Sequence, residues 1–302
     1  MKISGQFFKL TGLLVVLLAG LVVARAQHSP PGGITEKQWA ANESALLSAD
    51  DPAVAAGPNH ATAFRATKTG THRIVTLADG LNFWNGKQWV ASDPTLVPDR
   101  DGFSALKLQH QTHLARDLCV SNAVSVVTPD GLSLNSTPVA IGLFEPGTGA
   151  FRVIGAIKNS IGQLIATNSV VFPDCFNGVC ANTFYTTAAG GFEQDVEFTG
   201  ALDPSDWGFS TNSRIQIITE FYNPPTPDEL ERPIYVEENP AVRAEMAVPD
   251  TIDYQLGFGR FVMTQGSAYV EESDAVPNGI AAVVSKEFVV TNGRSFLVES
   301  VP

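Results

Sequence analysis

Glu193, Asp195 and Glu197 alternate with Phe192, Gln194, Val196 and Phe198. On a β-strand successive side chains point to opposite faces, so the three carboxylates share one face. Alternate residues rise by roughly 6.6–6.8 Å. That falls within the roughly 5–9.5 Å separating the carboxyl groups of a glycosidase acid–base pair. A cation bridging the three would make a weak Ca2+ site, although no cofactor is required by the sequence. The plainer reading, favoured here, is a polar outer face over a Phe/Val core face.

His110 and His113 stand in Gln-His-Gln-Thr-His-Leu-Ala-Arg-Asp, residues 109–117. On a helix this spacing would put both imidazoles on one face, ready to hold a transition metal with Asp117. Leu106, Leu108 and His110 alternate with Lys107 and Gln109, which argues for a strand. A strand sends His110 and His113 to opposite faces, one outward and one satisfied within the sheet.

Phe83, Trp84 and Trp89 flank Asn85-Gly86, a strong hairpin signal because both turn positions need positive φ. The pattern predicts Phe83 and Trp89 on one side of the hairpin. Exposed rings would stack on sugar faces, whereas cross-strand rings would fill a core.

Three cysteines occur, Cys119, Cys175 and Cys180. Cys175 and Cys180 enclose Phe-Asn-Gly-Val, and their spacing permits a small-loop disulfide in an oxidising compartment. Such a loop would contribute under roughly 3 kcal/mol. One C-x4-C without a second pair is poor zinc spacing. There is no G-x-S-x-G elbow, P-loop or dinucleotide fingerprint. Asp99-Arg100-Asp101-Gly102 lacks EF-hand spacing and reads as a turn.

The elements that must position these residues begin after an export signal. Lys2 and Lys9 precede an apolar run of 11 residues, 13–23, and Ala24-Arg25-Ala26 offers small residues at a cleavage site. Residues 1–26 therefore read as a secretory signal peptide, too short in its apolar run for a spanning helix. Residues 27–71 read as a short helix over 34–47 followed by a flexible Pro/Gly/Ala arm. From residue 72 to 302, short alternating runs are separated by turns such as Pro129-Asp130-Gly131 and Ala188-Ala-Gly-Gly191. The predicted fold is mainly β, a β-sandwich or large curved two-sheet domain with one or two short helices. One helix is expected after Asn239-Pro240, a cap followed by a proline at the first helical position. The acidic stretch from Asp228 to Glu238, after a Pro-rich segment, reads as a solvated loop.

The whole chain carries −12, with 31 acids against 19 bases among 302 residues. Removing residues 1–26 takes away Lys2, Lys9 and Arg25 and no acid, leaving 31 against 16, or −15. That balance excludes a general nucleic-acid binder and opposes anionic membrane surfaces once the leader is cleaved. The partners left open are a cell-surface protein or a glycan.

Several stretches resemble the N-terminal region of large secreted bacterial proteins of unassigned activity, many of which continue into RHS/YD-repeat-like or other extracellular segments. They are LADGLNFWNGKQWVASDPTL (77–96), KLQHQTHLARDL (107–118), VTPDGLSLNSTPVAIGLFEPGTG (127–149), SIGQLIATNSVVFPDCFNGVCANTFYT (160–186), FEQDVEFTGALDPSDWGF (192–209), RIQIITEFYNPP (214–225) and SFLVESVP (295–302). The resemblance implies no catalytic residue, and this chain lacks the long C-terminal extension. Together these features predict an exported non-enzymatic structural or interaction module, found outside the cell, on its surface or in the periplasm. The alternatives are a polysaccharide-binding module using the Trp84 hairpin, or a glycan-active enzyme on a sandwich.

Overall fold

The alternating runs become strands because every second residue is apolar and can leave water together with its neighbours. In the computed structural model, residues 8–12, 56–67, 70–246, 250–270 and 280–301 are described. The strands in chain order are β1 (Phe8–Gly12), β2 (Ala56–Gly57), β3 (His60–Thr67), β4 (Gly70–Leu77), β5 (Asn82–Trp84), β6 (Trp89–Ala91), β7 (Val97–Pro98) and β8 (Gly102–Ala105). There follow β9 (Gln111–Ala115), β10 (Val124–Val127), β11 (Ser133–Glu145), β12 (Ala150–Ile157), β13 (Gln163–Ala166), β14 (Ser169–Phe172), β15 (Phe176–Asn177), β16 (Ala181–Ala188) and β17 (Gly191–Phe198). The last are β18 (Arg214–Phe221), β19 (Asp228–Val236), β20 (Asp250–Phe258), β21 (Phe261–Met263), β22 (Gly266–Val270), β23 (Ile280–Thr291) and β24 (Arg294–Val301).

The fold is mainly β, with several antiparallel sheets in a β-sandwich-like arrangement. The longest sheet runs β13-β14-β16-β17-β1-β22-β23-β24-β18-β11-β10-β9-β8-β7, with β12 and β15 added alongside β11. It turns a corner within β23. Residues 280–284 of β23 pair with β22, and residues 285–291 pair with β24. The two arms then face one another. Phe172, Tyr185, Phe192, Val196 and Phe198 come from one arm, and Leu114, Val126, Ile141, Ile217, Phe221 and Leu297 from the other. β16 shows how sequence sets this packing: Ala181, Thr183, Tyr185 and Thr187 are buried and the residues between them are not. Burial of an apolar side chain contributes about 1.5–3 kcal/mol, so this double layer dominates stability.

Asn292 and Gly293, at φ 51° and 73°, make the two-residue turn joining β23 to β24. Both angles are positive, as a type I′ hairpin demands. Asn239 caps the helix α1 (Pro240–Glu245), its side chain accepting from the Ala241 amide, as the sequence predicts. No helix among the described residues is long and apolar enough to cross a membrane.

Two differences from expectation are physical. The predicted arm over 27–71 is partly sheet, because residues 56–77 form β2-β3-β4. The acidic stretch from Asp228 is strand β19, paired along its length with β20. It is an edge strand, so its charges remain solvated while its backbone pairs. The predicted helix over 34–47 and most of the leader lie outside the described residues.

Candidate functional site

The Trp84 hairpin has a four-residue loop, 85–88, rather than two residues. Asn85 Oδ1 accepts from the amides of Lys87 and Gln88 at 3.0 Å each, which closes the longer loop. The register therefore places Trp84 opposite Trp89, and Phe83 opposite Val90. Phe83 and Trp89 thus do not share a side, contrary to the sequence reading. The indoles meet edge to face, 5.6 Å apart at 64°. Trp84 is 53% exposed, while Phe83 and Trp89 are half-buried. One indole is presented to solvent, without a coplanar platform.

His110 and His113 separate. His113 lies on β9 and His110 in the bend before it. His110 is only 3% exposed, and its ring sits 6.0 Å from that of Phe261. A backbone hydrogen bond ties it to Gly191, and Nε2 has no partner. Burial pushes its pKa down to about 4, so the ring is neutral at pH 7. Asp117, the third ligand of the metal reading, instead accepts from the amides of Cys119 and Ser160 at 3.0 Å each. Among the described residues, no three His, Cys, Asp or Glu side chains gather to hold a metal ion.

A Ser-His-Asp trio that the sequence reading missed surrounds His113. Ser104 Oγ donates to Asp99 Oδ2 at 2.6 Å and lies 2.9 Å from His113 Nδ1, which is itself 3.5 Å from Asp99. Nucleophilic catalysis needs the serine proton to pass to one imidazole nitrogen while the acid holds the other. Here the serine proton goes to the acid, and both partners crowd Nδ1. The trio fastens the Asp99 turn to β8 and β9, and the Ser104 hydroxyl holds the Asp99 carboxyl below its ordinary range.

Glu193, Asp195 and Glu197 do occupy one face of β17, each half-buried. Asn182, opposite Glu197 on β16, donates to its Oε2 at 3.0 Å. The cysteines correct another expectation: Cys175 and Cys180 are both free, so no disulfide joins them. Cys175 is buried, its Sγ 3.2 Å from Thr183 Oγ1, whereas Cys180 is exposed. The short loop turns the two thiols into different environments. Burial pushes the Cys175 thiol up to about 11.

Two hollows accompany these residues. A cavity of about 70 Å³ lies between the arms of the sandwich, with Val124, Phe192, Phe221 and Phe261 on its apolar wall. Gln194, Thr219, Lys286 and Glu299 also line it. Lys286 and Glu299 are register partners on β23 and β24. Burial pushes the Glu299 carboxyl above its usual range, opposed by Lys286, and pushes the Lys286 amine below its own. Their spacing of 13 residues gives no period that sequence reading detects.

The second hollow is a cleft of about 430 Å³, lined by Asn59, Asp79, Gln109, His110, Arg232 and Arg260 among others. Gly80 and Gly190 let two loops meet at its floor. A Cβ on Gly80 would come within 1.9 Å of the Ala189 carbonyl oxygen.

The long sheet ends at strand β13, paired only with β14, and at β7, paired only with β8. All four residues of β13, Gln-Leu-Ile-Ala, are exposed. Leu164 is 39% exposed, Ile165 55% and the preceding Ile161 48%. Comparison with protein-family models, curated proteins and solved structures finds no match.

Proposed function

We propose that the chain is an exported, non-enzymatic interaction module of a secreted or cell-surface system. The observation that carries this reading is the exposed, uncharged and apolar edge at β13. Soluble proteins protect sheet edges with charge, proline, bulges or covering elements. β13 carries a register irregularity at Ile165 but neither charge nor proline, and it exposes both Leu164 and Ile165. Such an edge is suited to pairing with another chain's strand. Two of the catalytic candidates favour the same reading: His110 is buried, and His113 shares Nδ1 with Ser104 and Asp99 in securing a turn. The test is the intact mass of the chain recovered from outside secreting cells. The reading expects the exported chain to begin at Gln27. Full-length chain held inside the cell would overturn it.

Exposure of Trp84 favours one second reading, a polysaccharide-binding module. A glycan array on residues 27–302 tests it. Binding lost in Trp84→Ala would support it, and a blank array would defeat it.

A further inference from the structure

Strands β17 and β22 run parallel to one another and do not pair directly. Strand β1 lies between them, antiparallel to both. Phe8 is opposite Phe198 on one side and Val270 on the other, and Leu10 is opposite Val196 and Ala268. Val196, Phe198 and Ala268 are 2%, 1% and 5% exposed. Lys9 is opposite Glu197 and Tyr269, and Thr11 is opposite Asp195 and Ser267. The gap thus has one strand's width, with apolar register positions alternating with acidic and polar ones.

Residues 8–12 fall inside the leader that the proposed export reading removes. The exported chain would then carry two facing strand edges that have lost the pairing β1 supplies, with buried Val196, Phe198 and Ala268 along them. We infer that this β17/β22 slot is a receptor for an extended strand of a partner protein, with apolar residues at alternate positions and a basic one between them. This inference rests on the export reading, since leader removal opens the slot. The pattern follows from the register. Apolar side chains suit the rows of Phe198, Val196 and Ala268, and a cation suits the row of Glu197. Main-chain hydrogen bonds to two edges at once supply affinity, and the alternating rows supply specificity. The remaining N-terminal segment is a poor substitute, because residues 34–47 have helical rather than period-two patterning.

The probe is a synthetic peptide of residues 4–12, Ser-Gly-Gln-Phe-Phe-Lys-Leu-Thr-Gly, added to purified residues 27–302. Calorimetry reads affinity, and amide hydrogen exchange reads residues 194–198 and 267–270. The expected result is saturable binding with slowed exchange in both strands. A Leu10→Asp peptide should bind at least tenfold more weakly, and Lys9→Glu severalfold more weakly. A folded chain that ignores the peptide, or whose two edges are already protected without it, would overturn the inference. Both outcomes are independent of the secreted chain's mass, so failure of the slot and failure of the export reading are read separately.

Discussion

His110 should make the fold acid-sensitive in a defined window. Its pKa is near 4 in the folded chain against 6.5 for an ordinary imidazole, chiefly because burial penalises the charged ring. The folded state therefore binds fewer protons than the unfolded state between these values. This contribution to stability is fully present above pH 6.5 and is lost as pH falls toward 4. At 1.36 kcal/mol per pH unit, the gap corresponds to about 3 kcal/mol. That is a large part of the 5–15 kcal/mol typical of a domain. The perturbation is His110→Gln, which does not titrate and keeps an amide donor near Gly191. Urea unfolding of both proteins from pH 7.5 to 4, taken as the difference at each pH, removes the contribution of other titrating groups. The wild-type advantage should shrink by about 3 kcal/mol across the window. A difference that stays constant with pH would refute the buried, neutral placement of the ring.

The Lys286–Glu299 pair gives a second expectation. Lys286→Met alone strands a buried carboxyl and should cost about 3 kcal/mol, whereas Lys286→Met with Glu299→Leu should return to within about 1 kcal/mol of wild type; denaturant unfolding of the full cycle measures both. Gly80→Ala forces a side chain at φ 65° against the Ala189 carbonyl and should destabilise by about 2–4 kcal/mol. A midpoint unchanged in urea would show that the two loops do not meet there. Cys180 should react with a thiol reagent in the native state, while Cys175 waits for unfolding. At pH 8 the buried thiol, with its pKa near 11, is thiolate in about one molecule in a thousand. Equal rates for the two would contradict their environments.

The strands most legible in the sequence are those with one wet and one dry face. β10 with β11 and β16 with β17 announce themselves by alternation and by Pro-Asp-Gly or Ala-Ala-Gly-Gly turns, and Asn239-Pro240 marks α1. β19 is hidden because its described residues are all exposed, so no alternation between water and core shapes them. β23 reads as two strands because it serves two arms of the sheet, and its polar stretch Ser285-Lys286-Glu287 lies at the corner. Asn292-Gly293 marks the turn from β23 to β24 with the positive-φ pair that a two-residue hairpin needs. The Trp84 register depended on a loop two residues longer than Asn-Gly alone suggests. The candidate sites were less legible because packing and strand pairing, rather than a recognisable spacing, bring their side chains together. Phe261 packs beside His110 across 151 residues of chain, and Asp99 reaches His113 through Ser104. Residue types named the chemistry these groups could do, and only the packing decided which of it is open to them.

The central claim, an exported module that docks through an exposed apolar strand edge, is tested most directly at β13. The measurement is the fraction of exported chain retained on the cell surface, wild type against Ile165→Lys, with thermal unfolding confirming that both are folded. Lysine on that edge is a standard block to strand pairing. The account predicts that the variant is exported and folded but released into the medium at least tenfold more than wild type. Equal surface retention of the two folded proteins would contradict it.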